Sequence, residues 1–199
     1  MRKRARQTTR KTELINAAIQ TIARSGTLDV TVADIARQAG MSPALAHHYF
    51  GSKDQMFLSA MREILRRYGA TVREAVSGAE GPRARLLAVL DASLGPEHFD
   101  ADTVAAWLTF YALAQQNKEA ARLLRVYHHR LRSNLLADLR PLIADRAVLA
   151  AETLGALIDG VYLRQALSDS APSMLLNLPR EYLLGVLGRD GRDLAAPSR

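Results

Sequence analysis

Trp107, Phe110 and Tyr111 fall at i, i+3 and i+4 in a stretch of helical period, so the three rings share one face. They are three of only 11 aromatic residues in the chain. Further on, Asp159 interrupts the apolar run LGALIDGVYL, and Tyr162 follows three residues later. A quaternary ammonium donates no strong hydrogen bond. Aromatic faces hold it through cation–π attraction, and a carboxylate balances its charge. Trp107, Phe110, Tyr111, Asp159 and Tyr162 therefore carry the side chains that such a site requires. Each desolvated cation–π contact is worth about 2 kcal/mol, so two or three of them support useful affinity. A plainer arrangement suits the same residues: the stripe as helix core, and Asp159 paired with an arginine. Arg164 is near in sequence, but a separation of five residues does not bring two helical side chains together well.

Other chemistries find little support. His47-His48 and His128-His129 are adjacent pairs. Neighbours on a helix diverge by about 100°, so neither pair chelates, and no metal is expected. The chain has 0 cysteines, which excludes a disulfide, thiolate zinc and an iron–sulfur cluster. No nucleophile elbow, phosphate-binding loop or glycine-rich dinucleotide turn occurs. Asp159 and Glu152 show no evident partner for acid–base work. The expectation is a binding protein without a cofactor, not an enzyme.

The charge points to a partner. The 199 residues carry 27 Lys+Arg against 20 Asp+Glu, a formal +7. Residues 1–53 hold nine basic and three acidic side chains, so nearly all of the excess lies in the first quarter. An anionic polymer selects such asymmetry, although a solvated basic tail would also produce it. The 48% apolar and 24% charged fractions are those of an ordinary globular protein. No apolar run approaches the roughly 18 residues of a membrane span, and no secretory signal opens the chain, so a cytoplasmic protein is expected.

Helices must position these groups, because the apolar period is helical nearly throughout. Leu14, Ala17, Ala18, Thr21 and Ile22 make a single-faced helix that ends at Ser25-Gly26. Thr31 caps a second helix, with Asp34 in the capping-box place. Gly40 breaks it. Ser42 caps a third, with Pro43 at its first position. Ser52 caps a fourth, from about Lys53 to about Val76. Further helices are expected at about 82–94, 101–116, 118–140, 146–168 and 173–188, with Gly95-Pro96, Asn117, Pro141 and Ser170-Ala171-Pro172 between them. Gly191 to Arg199 reads as a frayed tail. The fold class is thus all-α: a three-helix head, then a bundle of about six helices. Leu154, Leu157, Ile158 and Val161, then Leu175, Leu178, Tyr182 and Leu183, supply apolar faces for the last two.

Two short helices joined by Gly40-Met41-Ser42 have helix-turn-helix length. In that arrangement the second helix enters a major groove. Its inner face is Ala46, Phe50 and part of Tyr49, which leaves Pro43, Ala44, His47 and His48 outward. Thr31 and Ser42 stand at helix N-termini, where free N–H groups favour phosphate, and Lys53 can meet a phosphate as a point charge.

The segment TVADIARQAGMSPALAHHYFGSKDQM (31–56) resembles the DNA-binding domain of TetR-type transcriptional regulators. Its marks are the Thr cap, the IA..AG.S turn and the HYF..K end. The resemblance implies a DNA-binding domain over 8–68, with its helix-turn-helix at 31–50, and a ligand-binding and dimerisation domain over 69–190. It also implies that Thr31, Ser42, Pro43, Ala44, His47, Tyr49 and Lys53 occupy DNA-contacting positions. At one of these, most members carry Tyr and this sequence has His47. SPALAHHYFGSK (42–53), VAAWLTFYA (104–112), RLRSNLL (130–136) and LIDGVYLRQALS (157–168) are similar to a narrower branch, the choline-responsive repressors of glycine betaine synthesis. That likeness implies a homodimer, paired through its two C-terminal helices, that binds palindromic double-stranded operator DNA and is relieved by choline. An aromatic or lipophilic inducer remains the alternative, as does an interaction bundle whose basic head is incidental.

Overall fold

The computed structural model describes residues 2–25, 30–95, 101–167 and 173–193. Within them the chain forms α1 (Arg2–Ser25), α2 (Val32–Gln38), α3 (Pro43–Phe50), α4 (Lys53–Ser77), α5 (Gly81–Ser93), α6 (Ala101–Gln116), α7 (Lys118–Ile143), a 3₁₀ turn (Ala144–Arg146), α8 (Ala147–Ala166) and α9 (Ser173–Asp193). The described residues contain no strand. No helix among them is long and apolar enough to cross a membrane. The chain divides into two compact units, Met1–Arg67 with Asp100–Leu124 and Tyr68–Phe99 with Arg125–Arg199. The dividing points fall inside α4 and inside α7.

In the first unit, the apolar stripe of α1 is buried at Leu14, Ala17, Ala18 and Ile22. The helix packs against α6 and α2, and α2 packs against α3. Val104, Ala106, Trp107 and Phe110 are buried on α6. Burial of one such large side chain stabilises by about 1.5–3 kcal/mol. Polar contacts fasten the edges. Arg67 donates to Asn16 at 2.6 Å, and Asn117 donates to Asp54 at 3.2 Å.

In the second unit, Leu154, Ile158 and Val161 turn the inner face of α8 into core, with Leu86, Val89 and Leu90 of α5 and Leu135 and Leu139 of α7 also buried. Asp138 on α7 is buried, and Arg85 on α5 donates to it at 2.5 and 2.8 Å. Arg180 of α9 reaches Asp91 of α5 at 2.5 Å, and Arg146 donates to the Val186 carbonyl at 2.9 Å.

Three boundaries differ from the sequence pattern. The basic segment that could have been a tail is helical from Arg2 onward. Its arginines, lysine and glutamine are good helix formers. Helix α7 runs through Pro141 to Ile143. A proline in the last turn removes only one hydrogen bond, and the stop comes at Ala144, where φ is +44°. Helix α9 continues to Asp193, three residues into the stretch read as a tail. Gly26, Pro96, Ser170-Ala171-Pro172 and residues 194–199 lie outside the described residues.

Candidate nucleic-acid interface and ligand site

The head follows from local chemistry. The Thr31 hydroxyl accepts from the Asp34 amide at 3.1 Å, and the Asp34 carboxylate accepts from the Thr31 amide at 3.2 Å. This reciprocal pair satisfies two amides that the first turn of α2 leaves open. The Thr31 bonds come first, and with Arg37 nearby they hold the Asp34 carboxyl below its ordinary value. Gly40 then takes φ +63°, the left-handed geometry that the turn into α3 requires. Ser42 caps α3 by accepting from the Leu45 amide at 3.3 Å, and Pro43 stands in the first turn.

Burial sorts the residues of α3. Ala46 and Phe50 are buried, and Tyr49 is half-buried. Thr31, Ser42, Pro43, Ala44, His47 and His48 are exposed on one short surface, with Lys53 half-buried at its edge. Gly51, at φ +75°, ends the helix. His47 Nδ1 lies 3.1 Å from the Gly51 carbonyl oxygen. A carbonyl only accepts, so Nδ1 carries the proton and Nε2 becomes the outward atom. A neutral His47 thus offers an acceptor where a tyrosine would offer a hydroxyl, and a protonated one offers a donor to phosphate. Lys53 Nζ sits 5.7 Å from the Phe57 ring centroid, a cation–π contact that steadies its stem.

The five residues considered for a cationic ligand fall in two groups. Trp107, Phe110 and Tyr111 belong to the first unit, where Trp107 lies 6.1 Å from Phe110 and 5.8 Å from Tyr111 between ring centroids. Trp107 and Phe110 are also core residues there. Asp159 and Tyr162 belong to the second unit. Their neighbours there include two aromatics that sequence spacing does not single out. Tyr68 of α4 and Tyr127 of α7 meet edge-to-face at 5.7 Å, and Tyr127 lies 5.2 Å from the His128 ring. Burial pushes the Tyr68 hydroxyl up to about 12; the Asp159 charge pushes the same way, against the Ser93 hydrogen bond. The Ser93 hydroxyl donates to the Val89 carbonyl at 2.7 Å, so it accepts from the Tyr68 hydroxyl at 2.9 Å. Tyr162 donates to the Ser93 carbonyl at 2.6 Å. The end of α5 is thereby bonded to both α4 and α8.

Asp159 has a partner on a different helix. Its Oδ2 lies 3.2 Å from His128 Nε2 on α7. One rung away, Arg132 donates to Glu152 at 2.5 Å. Both pairs border a groove of about 300 Å³ between α7 and α8, which His129 also lines. The described residues contain no group of three or more His, Asp or Glu side chains placed to hold a metal ion.

Comparison with known proteins fits this division of labour. Residues 14–60 match the pattern of bacterial regulatory proteins of the tetR family, and residues 82–187 match the BetI-type transcriptional repressor C-terminal domain. The chain belongs to the TetR family. Its C-terminal region is of the BetI type. Within the family, it is 50% identical to the HTH-type transcriptional regulator BetI of Brucella anthropi over 165 residues, covering 82% of this chain and 85% of that one. The BetI regulator of Agrobacterium fabrum is 48% identical over 171 residues, with 85% and 82% covered. A transcriptional regulator from Pseudomonas aeruginosa has the same fold, with a TM-score of 0.79, 29% identity and 93% and 94% of the two chains covered. A regulator from Saccharomonospora viridis, crystallised in complex with choline, gives a TM-score of 0.78 at 20% identity, with 88% and 96% covered. TetR regulators bind operator DNA, are dimeric and bind small-molecule ligands.

Proposed function

We propose that this TetR-family chain is a homodimeric cytoplasmic repressor of choline-uptake and choline-to-glycine-betaine genes, released from its operator by choline. Residues 8–68 form its DNA-binding domain, and 69–190 serve ligand binding and dimerisation. On DNA, Pro43, Ala44, His47 and His48 face base edges, and Thr31, Ser42, Tyr49 and Lys53 face the backbone. Pro43 and Ala44 offer no bidentate base contact. His47, His48 and the shape of the duplex therefore carry the sequence preference.

The observation that carries the choline assignment is Asp159. It is a carboxylate on an apolar helix, in the unit that also holds Tyr68, Tyr127 and Tyr162. Charge and ring faces are what a quaternary ammonium needs. The choline complex of the similarly folded Saccharomonospora regulator supports the same ligand class. Trp107, Phe110 and Tyr111 form a separate aromatic group, whose part in release Trp107→Ala measures.

The dimer is supported by the outer face of α8. Leu149, Leu163 and Leu167 are exposed there at 71%, 50% and 75%, and Met174 and Leu178 are exposed on α9. Leu149, Ala156, Leu163 and Leu167 repeat at i, i+7, i+14 and i+18, one continuous stripe. Pairing this stripe with its copy removes it from water and sets two heads on one palindrome.

Fluorescence anisotropy on DNA upstream of the protein's own gene, with scrambled competitor at fixed salt, tests the reading. Specific binding that choline releases and glycine betaine does not supports it. Specific binding indifferent to choline replaces the inducer with another small molecule. Absence of sequence preference across genomic fragments at every salt concentration removes the repressor.

A further inference from the structure

Resting on the choline reading above, we infer that His128 is a built-in competitor for the inducer: it pairs with Asp159, and an arriving cation must take its place. The motive is geometric. The carboxylate proposed for the ligand's charge has His128 Nε2 at 3.2 Å, with the two side chains 44% and 31% exposed. Both line the groove of about 300 Å³ between α7 and α8, so a small cation has access to the pair.

The chemistry of the exchange fixes its pH dependence. As an imidazolium, His128 pairs with Asp159 as a full cation. A permanently charged quaternary ammonium that occupies Asp159 beside that form leaves two cations at one carboxylate. His128 relieves this by losing its proton to solvent. Binding to the protonated form is then coupled to release of up to one proton, and affinity rises with pH, over the range in which the imidazole loses that proton, by at most tenfold per pH unit. As a neutral imidazole, His128 gives up only a hydrogen bond.

The other groups around the pair do not imitate this. Tyr68 of α4, held neutral by its burial, keeps its proton throughout that range. Tyr162 on α8 donates to the Ser93 carbonyl, and Tyr127 on α7 is a phenol. Arg132 and Glu152 pair with each other and line the same groove. His129 lines it too, and its imidazole needs its own control.

The full-length protein is titrated with choline by isothermal calorimetry at pH 5.5, 6.5 and 7.5, in two buffers of different ionisation enthalpy. For the wild type, binding tightens about tenfold between pH 5.5 and 7.5, with proton release at the acid end. His128→Asn binds at all three pH values about as tightly as wild type at pH 7.5, without proton release. His128→Lys, a cation throughout, binds more weakly than wild type at pH 7.5 and shows no pH slope. His129→Asn behaves as wild type. A wild-type affinity that is flat with pH, or a His128→Asn slope equal to the wild-type slope, overturns the competitor while choline binding stands. Asp159→Asn separates the two levels: if it binds choline as well as wild type does, the carboxylate is not the ligand's partner, and both the assignment and the competitor fall.

Discussion

The helix-turn-helix and the tyrosine cluster are built by opposite means. In the head, the capping and turn contacts span a few residues: Thr31 with Asp34, Ser42 with Leu45, His47 with Gly51. In the second unit, the decisive contacts join residues far apart in the chain: Tyr68 with Ser93, Tyr162 with Ser93, His128 with Asp159. A DNA-reading element built locally keeps its shape when its surroundings change. A cluster assembled from α4, α5, α7 and α8 is sensitive to the spacing of all four. That contrast suits a regulator in which the ligand must favour one arrangement of helices over another in order to shift anything.

The largest effect is expected in the head. Ile35 is fully buried on α2, and Ile35→Ala removes volume that the short helices cannot refill. A loss of about 2–5 kcal/mol is expected in denaturant unfolding, with loss of operator binding. Retained stability would show that the head leans on more than its own packing. Next comes the non-local site. Tyr162→Phe deletes the donor to the Ser93 carbonyl, a group at the end of α5 with no donor inside its own helix. A cost of about 1–3 kcal/mol is expected, with choline response weakened and operator affinity kept. Equal damage to operator affinity would erase the distinction between the two regions.

The smallest effect sharpens the comparison through acid. The hydrogen bond from Arg66 first, and then Arg67, hold the Glu63 carboxyl at about 2, against an ordinary 4.5 and against the opposing effect of burial. A depressed carboxyl contributes stability that is fully present above pH 4.5 and lost as pH falls through about 2. Glu63→Gln should flatten that acid limb in a pH series of thermal melts and leave the neutral range nearly unchanged. Both arginines lie within one turn of Glu63 on the same helix, so the result measures a local device on α4 against the long-range ones.

Legibility followed the same division. The helical period, the Thr31 capping box, the Ser42 cap and the buried face of α3 were readable because their partners sit within one turn or two. The partner of Asp159 was not, since nothing in one sequence says that position 128 of α7 lies beside position 159 of α8. Tyr68 and Tyr127 escaped for the same reason: they stand on different helices, α4 and α7, and only packing brings their rings together. The exposed apolar stripe of α8 was hidden differently. Helix α8 is apolar on most sides, so Leu154, Leu157, Ile158 and Val161 competed with Leu149, Leu163 and Leu167 for the same reading. Exposure separates them, because Leu154 and Ile158 are fully buried and Leu167 is 75% exposed.

Ser93 fastens two helices with two kinds of atom. Tyr162 grips its carbonyl, an atom that every amino acid supplies, whereas Tyr68 grips its hydroxyl, which most replacements would delete. Alanine at that position therefore removes the tie to α4 and leaves the tie to α8. A lineage that exchanges Ser93 for alanine loosens the helix whose other half lies in the DNA-binding unit and keeps the helix that carries Asp159. Under the proposed choline assignment, responsiveness and ligand capture are thus separately heritable, and the first can drift while selection holds the second.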